Sequence, residues 1–376
     1  MSIRPLALSL ISVGLLFAVT STCTAETPLE VLYVQLNTNI LTYNVDPTTL
    51  QATQVGQPLS LPGYEGYAQL IAAPNDHFVY VLTGSDSTQI SLSVYATDSS
   101  GVPQAPAIQS FAPAAILQFV IDPNGKFAYM VKYTTNSEGQ YLYDTRLFTI
   151  NASTGELTES PQVQFEYGPS NYCVPVLAGF YPNGSQIEYD IWCTPSSISA
   201  TFYKRSINLQ TGDLGSATEF FSYDDNDPAV NSDGILLSPR SFNDLNVTNN
   251  QTSLRIYPLT GGKTPLIDCT SAMLSACGQA YQFWQDPSGQ YLLLSLSGTT
   301  EIVKIDFASK QIVDTGSGFD LAPVFSPDDL LLYGVSEGPS QYVVISGFDV
   351  NTGGLTTGEE ITFDSTIWSV YPAVRN

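Results

Sequence analysis

Histidine is almost absent from this sequence. His77 is the only one in 376 residues. That scarcity weighs against histidine general bases and against metal centres built on imidazole. Cations are scarce too. Lysine and arginine total 12 against 35 aspartates and glutamates, a formal net charge of −23. Nucleic acid is excluded as a partner, because affinity for it rests on neutralising phosphates, and an anionic membrane surface is excluded for the same reason. No cysteine pair has the CxxC spacing of a metal or redox site. Beyond the first residues there is no long uncharged apolar run, so the mature chain is not expected to enter a membrane. No stretch of it has helical periodicity either.

The leading segment is different. Arg4 precedes an apolar run from Leu6 to Val19, which ends in Cys23-Thr24-Ala25. A basic start, a short apolar core and a small residue at the end describe a secretory signal over residues 1–25. The chain is therefore expected to be exported, to the periplasm or outside the cell, as a monomer of one domain spanning 26–376. Four cysteines remain, Cys173, Cys193, Cys269 and Cys277, and an even number in an exported chain points to two disulfides.

What the sequence does have is repetition. FVIDPNGKFAYMV (119–131) returns as LIAAPNDHFVYVL (70–82), LAGFYPNGSQIEY (177–189), FWQDPSGQYLLL (283–294) and PVFSPDDLLLY (323–333), with a worn copy, AVNSDGILLS, at 229–238. Each is a β-rich run, a Pro/Asn/Asp/Gly turn and a second β-rich run, which is a hairpin. A second phrase follows, clearest in FTINASTGELTES (148–160), SINLQTGDLGSAT (206–218) and GFDVNTGGLTTGE (347–359). Together the two phrases make a four-stranded meander at the period of a propeller blade. Six complete units are expected, at 67–110, 116–165, 174–221, 228–268, 281–316 and 321–363. Three strands at the mature N-terminus and TIWSVYP (366–372) near the C-terminus complement each other. The expected fold is all-β, a seven-bladed propeller closed by pairing the two ends. In this register Cys173 and Cys193 face each other across one hairpin, while Cys269 and Cys277 bracket a short insertion.

DPNGKFAYMV followed by INASTGELT resembles the seven-bladed lactonase propellers, the 6-phosphogluconolactonase-like family, and its YVTN-repeat cousins. The resemblance runs through the whole mature chain. It implies lactone hydrolysis by a histidine-bearing segment before an inner strand, with arginine and glutamate nearby. The corresponding segment here is FAPAAILQ (111–118), without histidine. His77 aligns instead with Lys126 and Gln290, just after the hairpin turn, as a solvated turn residue.

Ligands of propellers sit where loops lead into the innermost strands. Those loops are GYEGYAQ (63–69), FAPAAILQ (111–118), GPSNYCV (168–174), SYDDNDP (222–228), CGQAYQ (277–282), GSGFD (316–320) and FDSTIW (363–368). They supply Tyr67, Tyr172, Tyr281 and Trp368 as rings, and Asp224, Asp225, Asp320 and Asp364 as carboxylates, for a small molecule or protein partner. SYDDNDP is the densest oxygen cluster and the candidate Ca²⁺ site, with a solvated acidic loop as its other reading. If the loops catalyse, Glu65 or Asp227 serves as base and Arg240 as oxyanion donor. The expected product of this reading is a lactonase-like propeller that binds without catalysing; the alternative is a lactone hydrolase using those carboxylates. Sequons at Asn151, Asn183, Asn246 and Asn250 matter only where the host glycosylates.

Overall fold

The structure, a computed structural model, describes residues 29–36, 38–61, 67–74, 77–84, 89–170, 173–180, 184–193, 199–224, 235–238, 245–249, 253–258, 267–270, 282–286, 290–296, 299–306, 309–319, 321–328, 330–336 and 341–375. The residues of the expected signal, 1–25, lie outside this set.

The described chain is an all-β propeller of four-stranded antiparallel blades. Six blades use four consecutive strands each. Blade 1 holds β4 to β7 (Tyr67–Ala72, Phe78–Gly84, Ile90–Ala96 and Gln109–Ser110), and blade 2 holds β8 to β11 (Ile116–Ile121, Phe127–Thr135, Tyr141–Ile150 and Leu157–Ser170). Blade 3 holds β12 to β15 (Cys173–Phe180, Gln186–Cys193, Ser199–Ser206 and Thr218–Asp224), and blade 4 holds β16 to β19 (Ile235–Ser238, Leu245–Asn249, Ser253–Pro258 and Ile267–Thr270). Blade 5 holds β20 to β23 (Gln282–Gln285, Tyr291–Leu296, Thr299–Asp306 and Gln311–Phe319), and blade 6 holds β24 to β27 (Ala322–Phe325, Leu331–Val335, Gln341–Asp349 and Gly354–Phe363).

One further four-stranded sheet is composite. It takes β1 (Leu29–Leu36), β2 (Asn39–Asp46) and β3 (Gln51–Ser60) from the start of the chain and β28 (Ile367–Arg375) from its end, in the order β28-β1-β2-β3. Tyr33 faces Tyr371, and Leu32 faces Pro372. First strands touch first strands: β28 touches β4 and β24, β8 touches β12, and β16 touches β12 and β20. They line the centre, with each blade radiating outward.

The core lies between blades. Phe78, Tyr80 and Leu82 of blade 1 pack with Phe119, Met130 and Phe148 of blade 2. Leu32 and Val34 pack with Leu331 and Tyr333 of blade 6, while Val31 and Tyr33 pack with Val79 and Val81 of blade 1. A strand covered on both faces is apolar throughout, as the unbroken burial of Phe127–Val131 shows. The outermost strands β3, β11 and β27 are mostly exposed or half-buried instead.

The first repeated phrase is explained in blade 2 by its aspartate. Asp122 is buried, and its Oδ1 accepts the backbone N–H groups of Lys126 at 2.7 Å and Phe127 at 2.6 Å. Asp286 does the same for Tyr291 at 2.7 Å. In blade 6 the Ser326 hydroxyl accepts from Leu331 at 3.0 Å. These side chains close the hairpin turn by satisfying backbone donors, so the carboxylates are structural.

The second phrase works likewise. Asp46, Asp98, Asn151, Asn208 and Asp349 each accept the N–H two residues on, at 2.8–3.0 Å. In three of these turns the fifth residue is a left-handed glycine: Gly155 at φ +71°, Gly212 at +79° and Gly353 at +73°. A Cβ on Gly155 would lie 2.4 Å from the Phe78 ring of the neighbouring blade, so only glycine fits. Tyrosine hydroxyls then bind the same turns from the preceding sheet. Tyr33 donates to the Gly101 carbonyl (2.8 Å), Tyr80 to Gly155 (3.0 Å), Tyr129 to Gly212 (2.7 Å) and Tyr291 to Val350 (3.1 Å).

Several boundaries differ from expectation. The loop drawn at 168–174 is partly strand, because β11 runs to Ser170, opposite Tyr141. The strand passes through Pro161 and Pro169, because an outermost strand has a free edge that tolerates a missing N–H. Strand β28 likewise runs through Pro372 to Arg375 rather than stopping at the proline.

Candidate functional site

Both turn phrases lie at one end of the blades. The connections between blades, and the hairpins joining second to third strands, lie at the other. Tyr67 opens β4, Asp224 closes β15, Trp368 is the second residue of β28, and Asp364 is exposed in the bend between β27 and β28. The fold thus brings these four backbone positions to the one end where the loops enter the central strands. Glu65, Tyr172, Asp225, Asp227, Arg240, Tyr281 and Asp320 lie outside the described residues, as does Cys277. Of SYDDNDP only Ser222 to Asp224 is described. Among the described residues no group of three histidine, cysteine, aspartate or glutamate side chains could hold a metal ion.

The segment entering β8 is fully described, and its residues serve the frame. Ala114 exchanges both backbone hydrogen bonds with Ile90, each 2.9 Å. Phe111 meets the Phe148 ring edge-on at 5.7 Å. The Gln118 amide spans to the next innermost strand, donating to the Leu177 carbonyl (2.6 Å) and accepting the Leu177 N–H (2.7 Å). A side-chain amide there imitates a β-ladder between two blades. Gln109 repeats the device with Leu157 at 2.9 and 2.7 Å. Sequence reading missed these glutamines, since partners 48 and 59 residues away leave no local signal.

Three cations are also committed. Arg146 binds Asp144 at 2.5 Å and lies 3.8 Å from Glu159, which Lys132 approaches at 3.7 Å. Hydrogen bonding to Asp144 raises the Arg146 guanidinium above its ordinary value. Arg205 stacks 4.6 Å over Phe165 and 5.4 Å over Tyr189, and donates to the Gly215 carbonyl at 2.8 Å. His77 is exposed in the bend before β5, and its carbonyl accepts from Thr97 at 2.9 Å.

Cys173 lies opposite Cys193 in the β12–β13 register. Cys173, and Cys269 on β19, are in the disulfide-bonded form.

Between blades 2 and 3, at the loop-bearing end, tyrosines gather. Tyr133, Tyr143 and Tyr167 are cross-strand neighbours on β9, β10 and β11. Tyr141, 40 % exposed, lies 5.7 Å from Tyr133 and 6.2 Å from Tyr143, centroid to centroid. Across the cleft Tyr203 stacks on Tyr189 at 5.2 Å with the rings 12° apart. Burial raises the phenols of Tyr143, Tyr167 and Tyr203, and the neighbouring phenols add to the shift for Tyr143 and Tyr167. Deeper in the same interface, Phe165, Leu177, Tyr189 and Arg205 line a crevice of about 10 Å³, room for about one water.

No family model matches the chain, and no curated protein matches it in sequence. Solved structures do match its fold. A protein of Bacteroides fragilis provisionally named 6-phosphogluconolactonase superposes with a TM-score of 0.58 at 16% identity, over 93% of this chain and 99% of its own. A Bacteroides uniformis protein with the same provisional name gives 0.58 at 15% identity, over 92% and 99%. The periplasmic gluconolactonase of Pseudomonas aeruginosa gives 0.58 at 13% identity, again over 92% and 99%. At these identities the likeness establishes the architecture.

Proposed function

We propose that this chain is an exported, lactonase-like propeller that binds a small molecule or protein partner at the loop-bearing end of its channel and does not hydrolyse it. The observation that carries the reading is the segment before β8. Where the resemblance implies a histidine there are Ala114 and Ala115, and the nearby Gln118 amide is occupied by Leu177. Hydrolysis needs a base and oxyanion donors with free valence. The ion-paired Arg146 and Lys132 do not offer it.

In this reading the composite sheet acts as the seventh blade, so that the two ends of the chain close the ring. Export is supported by the leading segment and by the periplasmic location in the name of one structural neighbour. The mature protein is a monomer, without nucleic acid or membrane partners. A second reading rests on the fold shared with proteins named for lactone hydrolysis: Glu65 or Asp227 as base, Arg240 as donor, with or without Ca²⁺.

Purified mature protein is incubated with glucono-δ-lactone and 6-phosphoglucono-δ-lactone, with EDTA or with added Ca²⁺. No turnover above buffer is expected in either condition. Turnover that Glu65→Gln or Asp227→Asn abolishes overturns the binding reading and establishes the hydrolase.

A further inference from the structure

We propose that the tyrosine-lined rim between blades 2 and 3 binds a neutral carbohydrate, stacking a sugar ring on Tyr141 and Tyr167 and hydrogen-bonding it through the surrounding phenols. This site is separate from the channel mouth, and the inference stands whether or not that mouth catalyses.

Two populations of tyrosine stand at the blade interfaces. At the turn end, Tyr33, Tyr80 and Tyr129 are buried, and each hydroxyl is used on a backbone carbonyl of the next blade. Such residues are fixtures of the frame. At the loop end of blades 2 and 3, Tyr141, Tyr143, Tyr167 and Tyr203 make no hydrogen bond through their hydroxyls among the described residues. A folded protein that needed only packing here would use phenylalanine. Four phenols with unused donors and acceptors, gathered at one interface, form a polar-tipped aromatic wall.

The chemistry of the wall selects the ligand class. Ring faces take the C–H face of a pyranose, and phenol groups both donate to and accept from sugar hydroxyls. Anions are disfavoured. The cation in this interface, Arg205, lies over Phe165 and Tyr189 with one N–H on Gly215, and Glu219 is close enough to Tyr203 to add to the rise of its phenol. The net charge of −23 adds a general repulsion. Cations find no carboxylate pair in the wall: Asp144 and Glu166, opposed across β10 and β11, alternate with Tyr143 and Tyr167 and so belong to the other face of the sheet, where Asp144 binds Arg146. A neutral polyol is what remains. Access is available, because Tyr141 is 40 % exposed and Tyr167 and Tyr203 are half-buried.

The test is calorimetric titration of the full mature chain with neutral hexasaccharides: cellohexaose, maltohexaose, laminarihexaose and chitohexaose. At least one is expected to bind saturably. Tyr141→Ala and Tyr167→Ala should each weaken that binding about tenfold, the equivalent of one good aromatic contact. Tyr141→Phe, which keeps the ring, should weaken it by less. Tyr141 is exposed, so its variants are expected to fold, and circular dichroism checks this. Tyr129→Phe, at the turn end, should leave the affinity unchanged. The proposal is overturned if none of the four sugars binds, if binding ignores both alanine variants, or if only a charged oligouronate binds.

Discussion

Tyr333 should behave unlike the other interblade tyrosines. Tyr80, Tyr129 and Tyr333 are all fully buried second-strand residues. Tyr80 and Tyr129 reach a glycine carbonyl in the next blade, at 3.0 and 2.7 Å. The Tyr333 hydroxyl, buried beside the composite sheet, has no hydrogen-bond partner among the described residues. The turn it would reach, Asp46 to Leu50, has Leu50 at φ +58° where the turns at Asn151, Asn208 and Asp349 have glycine. Burial, and then the carboxylate of Glu30, raise the Tyr333 phenol well above the usual value. Removing the hydroxyl therefore has opposite effects. Tyr129→Phe strands a buried carbonyl and should cost about 1–3 kcal/mol, whereas Tyr333→Phe removes an unsatisfied buried group and should be neutral or stabilise by a similar amount. For a chain of this size about 1 kcal/mol moves Tm by about 1–2 °C. Differential scanning fluorimetry of Tyr80→Phe, Tyr129→Phe and Tyr333→Phe in parallel gives the comparison. A Tyr333→Phe protein that melts as low as Tyr129→Phe would refute the reasoning, because the hydroxyl would then have a partner that matters.

Gly358→Ala should destabilise by about 1–3 kcal/mol, since overpacking is costly and its Cβ would lie 2.2 Å from that of Leu50; in a Leu50→Gly background the penalty in chemical denaturation should shrink. At alkaline pH the buried phenols set the trend. Burial holds Tyr80 and Tyr129 above the ordinary phenol value, so their contribution is intact below about pH 10 and is lost progressively as pH rises from there towards the folded values; Tm, followed by scanning fluorimetry, should fall above about pH 10. Deleting residues 365–376 removes β28 and every pairing to β1, and should lower Tm sharply; an unchanged melting point would mean that the composite sheet does not close the ring. Intact mass after alkylation without reductant should show no labelled thiol in the mature chain, and two labels would mean that one of the two expected bridges is absent.

The frame was legible because its determinants are local. An aspartate or asparagine opening a turn, a proline to fix φ and a glycine to take the left-handed residue are all within five positions of one another, so the repeated phrases marked each hairpin and nearly every strand. The boundaries that moved did so for tertiary reasons: β11 and β28 pass through prolines because each has an edge that needs no N–H donor. The interblade devices were not legible. Gln118 and Leu177 are unrelated in sequence until two blades stand side by side. Tyr129 and Tyr143 both lie on central strands of blade 2, and only the neighbouring blade decides that one hydroxyl is committed and the other is not.

That distinction bears on how function is sought in a fold built from repeats. Among the residues that recur most faithfully here, the turn aspartates and the tyrosines Tyr33, Tyr80, Tyr129 and Tyr291 have polar atoms already satisfied by backbone. A group so occupied cannot also bind or activate a ligand without giving up a bond that holds two blades together. Free valence is therefore expected at positions where the repeat is broken: Ala114 and Ala115 in place of a polar residue, Leu50 in place of glycine, and the cluster of tyrosines confined to blades 2 and 3. The first break carries the proposed non-catalytic reading, and the second is absorbed by Gly347 and Gly358, which make room for the leucine side chain. The third leaves the hydroxyls of Tyr141, Tyr143, Tyr167 and Tyr203 without a hydrogen bond among the described residues, and it is there that the proposed ligand has something to bind.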